Sequence, residues 1–357
     1  MLNSGQKNYR KRKTRRITVR DVPIGDCSPV TVQSMLSVPT TDIDAALKQI
    51  RELQTAGCDI IRIAIPDSDS VEAFRRIRAE TDSPLVADIH FDHRLAIEAA
   101  NAGADKLRIN PGNIGSVGKV KEVAAAAKDL NIPIRIGVNA GSLPKDLSDN
   151  EPMAEKMLEA ASREIDVLLE TGFEDIVVSL KAHHPVPTVE ANRLFSERYG
   201  FPLHLGVTEA GLPGEGGIRS AVGIGTLLME GIGDTIRVSL TGNPVREVVV
   251  GRQILRACGL LESGIELVSC PTCGRCKVDV EKIASEVLER LPKTDKHLVV
   301  AIMGCEVNGP GEAKMADIGI AGGDGFFLIF KKGEPFGKIA EAEAVERLLK
   351  EIEGLIL

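Results

Sequence analysis

What most narrows the fold of this chain is an alternation. Short runs rich in Ile, Val and Leu at 30–35, 60–65, 85–89, 106–109, 134–138, 175–180, 203–207 and 235–240 take turns with helix-like stretches at 42–56, 70–80, 93–102, 117–130, 153–170 and 187–199. Each run reads as nearly continuously apolar, the pattern of a strand covered on both faces. Asp42 and Ser70 are placed as N-caps, and Gly57, Gly103 and Gly172 as helix stops. Eight strand–helix units over roughly 230 residues predict an α/β fold, a (β/α)8 TIM barrel. The alternative, a doubly wound sheet, would want a Gly-rich dinucleotide fingerprint in its first turn, and none follows Met35. Residues 18–24 predict an introductory hairpin. Beyond Arg256, a helix at 280–291, strands at 298–302, 316–321 and 326–330, and a helix at 340–352 make a smaller α+β module. The expected domains are 1–260, the barrel with its hairpin, and 261–357.

In such a barrel the chemistry sits where the strands end. Arg62, Arg108, Arg135, Lys181 and Arg237 stand there on five different strands, with Asn110, Asn139 and Ser239 beside them. Any one of these cations alone is explained by a salt bridge on the rim. Gathered at one mouth of a chain with net charge −7, they predict a site for a strongly anionic small molecule. Guanidinium forks suit a phosphate or diphosphate. Glu209 and Asp88 stand in the same ring as proton donors or arginine partners. For Asp88 the two roles weigh equally, whereas the small neighbours of Glu209 leave its carboxyl approachable. The Gly-rich stretch 211–217 reads as a flap over the anion or as a mobile loop, and His183 and His184 as surface residues.

Four of the seven cysteines lie in two C-terminal segments, Cys270-Pro271-Thr272-Cys273-Gly274-Arg275-Cys276 and Gly304-Cys305-Glu306-Val307-Asn308-Gly309-Pro310-Gly311-Glu312. Buried spectator cysteines do not cluster at two-residue intervals beside Pro and Gly, so this is a metal site. Four thiolates suit either a structural zinc or an all-cysteine [4Fe–4S] cluster. The turn after Cys305 also offers the carboxylate of Glu312, a weaker and exchangeable ligand. From spacing alone, Cys276 and Glu312 compete for the fourth position.

The net negative charge argues against a general nucleic-acid binder, and the basic run 7–16 is expected to be a solvated arm or edge strand. No apolar stretch approaches the ~20 residues that span a bilayer. The near absence of Trp and Tyr disfavours stacking on bases or sugars. Cysteines clustered for metal are reduced, which points to the cytoplasm.

The motifs Val32-Gln33-Ser34-Met35, Ile61-Arg62-Ile63, Ala87-Asp88-Ile89-His90-Phe91, Leu107-Arg108-Ile109-Asn110-Pro111-Gly112-Asn113, Arg135-Ile136-Gly137-Val138-Asn139, Leu205-Gly206-Val207-Thr208-Glu209-Ala210-Gly211 and the two cysteine segments resemble those of the bacterial 4-hydroxy-3-methylbut-2-enyl diphosphate synthases over nearly the whole chain. These are iron–sulfur oxidoreductases of the methylerythritol phosphate route to isoprenoids. The resemblance implies a TIM barrel followed by a [4Fe–4S] domain similar to sulfite and nitrite reductase modules. It implies reductive opening and dehydration of 2-C-methyl-D-erythritol 2,4-cyclodiphosphate to (E)-4-hydroxy-3-methylbut-2-enyl diphosphate. Cys270, Cys273, Cys305 and Glu312 become the implied cluster ligands, with Cys276 outside the pattern. The mouth cations with Asn110, Asn139 and Ser239 become the grip on the cyclic diphosphate, and Glu209 the proton donor. A homodimer in which one subunit's cluster domain caps the partner's barrel, with Asn308 reaching across, is also implied. The resemblance implies ferredoxin or flavodoxin as the electron donor; the sequence itself carries no flavin or nicotinamide motif to show it. Lys181-Ala182-His183-His184 departs from the family's usual Lys-Ala-Ser. Two other classes compete: a non-redox phosphosugar lyase or aldolase stapled by zinc, and a non-enzymatic iron–sulfur carrier. The barrel cations and Glu209 oppose the carrier, and only Cys276 favours the zinc enzyme.

Overall fold

A computed structural model describes residues 11–357 apart from 111–113, 115, 149, 306–310 and 312. The chain forms two compact units, Met1–Leu260 and Leu261–Leu357. In the first, a hairpin of β1 (Ile17–Val19) and β2 (Val22–Ile24) precedes eight parallel strands: β3 (Thr31–Met35), β4 (Ile60–Ala64), β5 (Leu85–Asp88), β6 (Lys106–Ile109), β7 (Ile134–Asn139), β8 (Ile176–Lys181), β9 (His204–Leu205) and β10 (Thr235–Ile236). Their order, β8-β7-β6-β5-β4-β3-β10-β9, is closed into a cylinder by a parallel bridge between Val178 and Leu203. The hairpin packs Val19 and Ile24 on Ile60 and Val86, covering the end where the strands begin.

The strands are covered on both faces, but not by apolar side chains on both. Residues facing the helices are Ile61, Ile63, Leu107, Ile109, Ile134, Ile136, Val178 and Leu180, all essentially inaccessible to solvent. The alternate positions, which a strand turns into the lumen, carry Gln33, Arg62, Asp88, Lys106, Arg108, Arg135, Ser179, Lys181 and His204. The hydrophobic core of this unit therefore lies between cylinder and helices, where each buried Ile or Leu contributes ~1.5–3 kcal/mol. The lumen is polar.

Strand register is pinned by aspartates at the strand starts. Asp59 Oδ2 accepts from Val32 N at 2.7 Å, Asp105 Oδ2 from Leu85 N at 2.8 Å, and Asp234 Oδ2 from Leu203 N at 2.9 Å. The preceding helix is stopped each time by a glycine in the left-handed region, Gly57 at φ 87° and Gly103 at φ 98° before the first two. Where the basic run is described, Lys13, Arg15 and Arg16 are exposed as a solvated arm requires, but Lys11 and Arg12 are tied to the barrel. Arg12 donates to the carbonyls of Ser196, Tyr199 and Phe201, and Lys11 reaches Asp234 at 3.3 Å. Buried carbonyls at the end of a helix need donors, and Arg12 supplies them. Residues 7–10 lie outside the described part. The second helix also differs from expectation: it begins at Ser68, and its N-cap is Asp67, whose carboxylate accepts from both the backbone and the hydroxyl of Ser70.

The second unit is a five-stranded sheet in the order β11 (Ile265–Ser269), β12 (Leu298–Met303), β13 (Ile318–Gly322), β14 (Phe326–Lys331), β15 (Glu334–Ala340). Helices Val280–Arg290 and Ala344–Ile356 cover one face, packing Val287, Leu348 and Ile352 on Val300, Ile302, Ile318, Ile320 and Phe327. The other face carries the smaller cluster of Ala301, Met303, Ala313, Ala316, Ala321 and Phe330.

Candidate anion site and cysteine centre

Arg62 in the middle of β4, Arg108 on β6, Arg135 second in β7, Lys181 at the end of β8 and Arg237 just past β10 converge on one another inside the cylinder, so the expectation that all five stand at strand ends is met only in part. Two glycines make room for them. A Cβ on Gly137 would stand 2.9 Å from Arg108 Nε, and one on Gly206 would stand 2.8 Å from Lys181 Nζ. Burial pushes the Arg135 guanidinium well down from its usual pKa, and Arg62, Arg108 and Arg237 push it further. Burial lowers Lys181 in the same way, with Arg135, Arg237 and Arg62 acting in the same sense. Arg62 falls to about 10, burial outweighing its attraction to Asp88. Nε and Nη1 of Arg135 have no hydrogen-bond partner. Cations held this close, dehydrated and partly unpaired, form a ready-made receptor for a polyanion.

Asp88, 2% exposed, stands among them. Its carboxylate lies 3.7 Å from Arg62 Nε, 3.3 Å from Arg108 Nη1 and 3.3 Å from His90 Nε2. Burial alone would raise its pKa, but Arg62, the His90 contact and Arg108 together hold it well below the usual carboxylate range. An acid so firmly ionised is an arginine partner. Glu209 is different. It is exposed, its φ of 52° lies in the left-handed region, and it lines a cleft of about 350 Å³ with Thr208, Gly211, Arg237, Ser239 and Glu247. It is one of six non-Gly residues with positive φ among the described residues. Asn110 is buried after β6, and Asn139 is half-buried at the end of β7.

The cysteine segment leaves β11 at Ser269. Cys270, Cys276 and Cys305 are partly buried and Cys273 is exposed. Gly304 N donates to Cys270 Sγ at 3.1 Å, the kind of backbone contact that steadies a thiolate ligand. The same glycine must lack a side chain, because a Cβ there would collide with Cys276 Sγ and stand 3.3 Å from Cys270 Sγ. The backbone N–H of Arg275 lowers the Cys273 thiol. Soft donors in an N–H-lined cradle fit an iron–sulfur group. Cys276 Sγ donates to Val278 O at 3.0 Å, which occupies that thiol within its own turn. Among the described residues no group of three or more His, Cys, Asp or Glu side chains stands ready to hold a metal ion. Glu312 and Asn308 lie outside the described residues.

Two features escaped the sequence analysis. Glu247, 3% exposed, receives Arg237 Nη2 at 3.1 Å, Ser34 Oγ at 2.8 Å and Leu240 N at 3.1 Å, and so fixes one cation of the ring. It sits in the first turn of a helix, where an acid is normally read as a favourable end charge. The stretch 211–217 is not a free flap: Pro213–Met229 is a helix, and Gly216 allows its first turns to approach Leu240.

Residues 14–252 match the family described as GcpE TIM-barrel domain, and residues 266–354 the GcpE protein C-terminal domain. The chain belongs to the GcpE family. A protein of Thermodesulfovibrio yellowstonii, named 4-hydroxy-3-methylbut-2-en-1-yl diphosphate synthase (flavodoxin), is 53% identical over 96% of this chain and 99% of its own length. Proteins of Clostridium acetobutylicum (53% identical, covering 96% of this chain and 99% of the relative) and Geobacter sulfurreducens (51%, covering 97% and 99%) carry the same name. Among solved structures, the dihydropteroate synthase of Yersinia pestis superposes with a TM-score of 0.52 at 16% identity, covering 68% of this chain and 97% of that one. That likeness is one of barrel fold.

Proposed function

We propose that this GcpE chain reductively opens and dehydrates 2-C-methyl-D-erythritol 2,4-cyclodiphosphate to (E)-4-hydroxy-3-methylbut-2-enyl diphosphate. The observation that carries this reading is the convergence of five cations inside one barrel in a chain whose relatives are named as synthases of that diphosphate. Arg62, Arg108, Arg135, Lys181 and Arg237 bind the diphosphate oxygens, and Asn110, Asn139 and Ser239 complete the contacts. Asp88 serves the reaction by fixing Arg62 and Arg108, and Glu247 by fixing Arg237. Glu209, in the cleft beside Arg237, delivers the proton to the departing hydroxyl.

Cys270, Cys273 and Cys305 would hold a [4Fe–4S] cluster with Glu312 as the fourth ligand; Cys276 stays outside the set. When bound, such a cluster supplies electrons one at a time and a Lewis-acidic iron. Flavodoxin is the donor printed in the relatives' names. None of the described helices is long and apolar enough to cross a membrane, consistent with work in the cytoplasm. The active form is a homodimer in which one subunit's cluster domain caps the partner's barrel, with Asn308 reaching across.

Anaerobic turnover with the cyclic diphosphate and reduced flavodoxin tests the reading. Formation of the linear allylic diphosphate supports it, and a metal-loaded chain that leaves the cyclic diphosphate untouched overturns it. Ultracentrifugation of the active preparation tests the dimer; full activity in a strict monomer contradicts it.

A further inference from the structure

Two groups in the barrel lumen take no part in the reading above. Lys106 opens β6, and the two-residue period of a strand places it inside the cylinder one tier below Arg108. His204 opens β9, one tier below the Gly206 position that faces Lys181. Lys106 is fully buried and His204 is 1% exposed. Among the described residues, neither Lys106 Nζ nor either ring nitrogen of His204 has a hydrogen-bond partner, and Arg135 contributes two more unpaired nitrogens. Buried polar atoms are rarely left without partners. A cluster of them drawn from three strands makes a polar tier inside the barrel.

The charges facing this tier are nearly all of one sign. β4 contributes Arg62, β6 Arg108, β7 Arg135 and β8 Lys181, with Arg237 following β10. Gln33 of β3 is neutral and donates to Thr235 Oγ1 of β10 at 2.7 Å. The two carboxylates nearby are engaged, Asp88 of β5 with Arg62 and Arg108, and Glu247 with Arg237. Burial therefore pushes Lys106 well below its ordinary pKa, helped by Arg135 and Arg62. Burial does the same to His204, helped by Lys181, Arg135 and Lys106. An anion seated among these cations weakens the positive field they feel.

We propose that Lys106 and His204 form a second, proton-accepting tier of the anion site, which takes up a proton from solvent when a diphosphate dianion seats on the cations above. This rests on the assignment of a cyclic diphosphate as substrate. The sign follows from linkage: the bound state holds more protons, so affinity falls as pH rises through the range where the tier titrates, by up to ~10-fold per pH unit for each proton taken up.

The test is calorimetric titration of the full chain with 2-C-methyl-D-erythritol 2,4-cyclodiphosphate in two buffers of different ionisation enthalpy. Each phosphoryl group of that ligand carries one ester and one anhydride linkage and no proton at neutral pH, so every proton exchanged belongs to the protein. The wild type is expected to take up about one proton or more on binding. Lys106→Met and His204→Gln are expected to lower that uptake while the chain still binds the ligand, whereas Lys181→Met chiefly weakens binding. Zero uptake by the wild type overturns the proposal whatever the variants do, and so does uptake unchanged in both folded variants. If the cyclic diphosphate does not bind at all, the substrate assignment fails instead. Sulfate, which also carries no proton at neutral pH, then tests the tier by the same two-buffer comparison.

Discussion

Asp88 and Arg135 are each 2% exposed and hang from hydrogen-bonded strands, whereas Cys273 is exposed in a stretch whose only regular feature is a turn at Gly274 and Arg275. The barrel holds its charges in place before any ligand arrives. It tolerates unpaired guanidinium nitrogens and like-charge repulsion in a dry lumen, and in return the receptor needs little reorganisation when an anion binds. The cysteines are placed the other way. Gly304 and its contact to Cys270 steady one corner of the segment; on the proposed reading, cluster binding would bring the remaining ligands together, and its binding free energy would become local folding free energy.

That contrast can be broken at several points. The largest effect is expected from Cys305→Ala: iron content falls to near zero and turnover is lost, while the barrel binds the cyclic diphosphate about as well as before. A large loss of anion affinity in that variant would mean the two regions are not independent. Glu209→Gln is expected to leave substrate binding nearly intact while turnover falls by ~10²–10⁴, measured under saturating substrate. Arg135→Met is expected to raise KM by ~10–100-fold, the value of a hydrogen bond to a charged group. It should also raise the unfolding temperature, because a strained, dehydrated charge is removed. A fall in both affinity and unfolding temperature would show Arg135 to be structural. Glu247→Gln strips the partner from Arg237 and is expected to cost ~1–3 kcal/mol in chemical denaturation, with a smaller rise in KM. The smallest effect is expected for Cys276→Ser, whose iron and sulfide content should match the wild type. A loss of cluster there would return Cys276 to the ligand set.

Much of the barrel was legible because its core lies outside the cylinder. Ile61, Ile63, Ile134, Ile136, Val178 and Leu180 announce strands whichever residues share the inner face. The inner face was misread as equally apolar because Arg62, Lys106, Arg108 and Arg135 are short interruptions in such runs. Only closure of the sheet turns them towards one another. The site cations were legible as a set on five strands, but not all as strand ends: Arg62 stands in the middle of β4 and Arg135 is second in β7. Lys106, His204 and Glu247 were not legible, because each acquires meaning from neighbours on strands or helices far away in the chain. Glu247 meets Ser34 across 213 positions of sequence. The edge strands β11 and β15 were missed for a local reason: their exposed residues, and Pro335 and Gly337 in β15, follow edge-strand rules rather than core ones. The stretch 211–217 was read as a flap or a mobile loop, but Pro213 opens a helix and Gly216 lets it approach Leu240 closely.

The most direct test of the account is iron, sulfide and zinc analysis of anaerobically purified protein with its absorption spectrum. About four irons and four sulfides per chain with a broad band near ~400 nm is the expected result. One zinc and no sulfide would contradict the account at its centre, making the cysteines a structural staple and the barrel a non-redox enzyme.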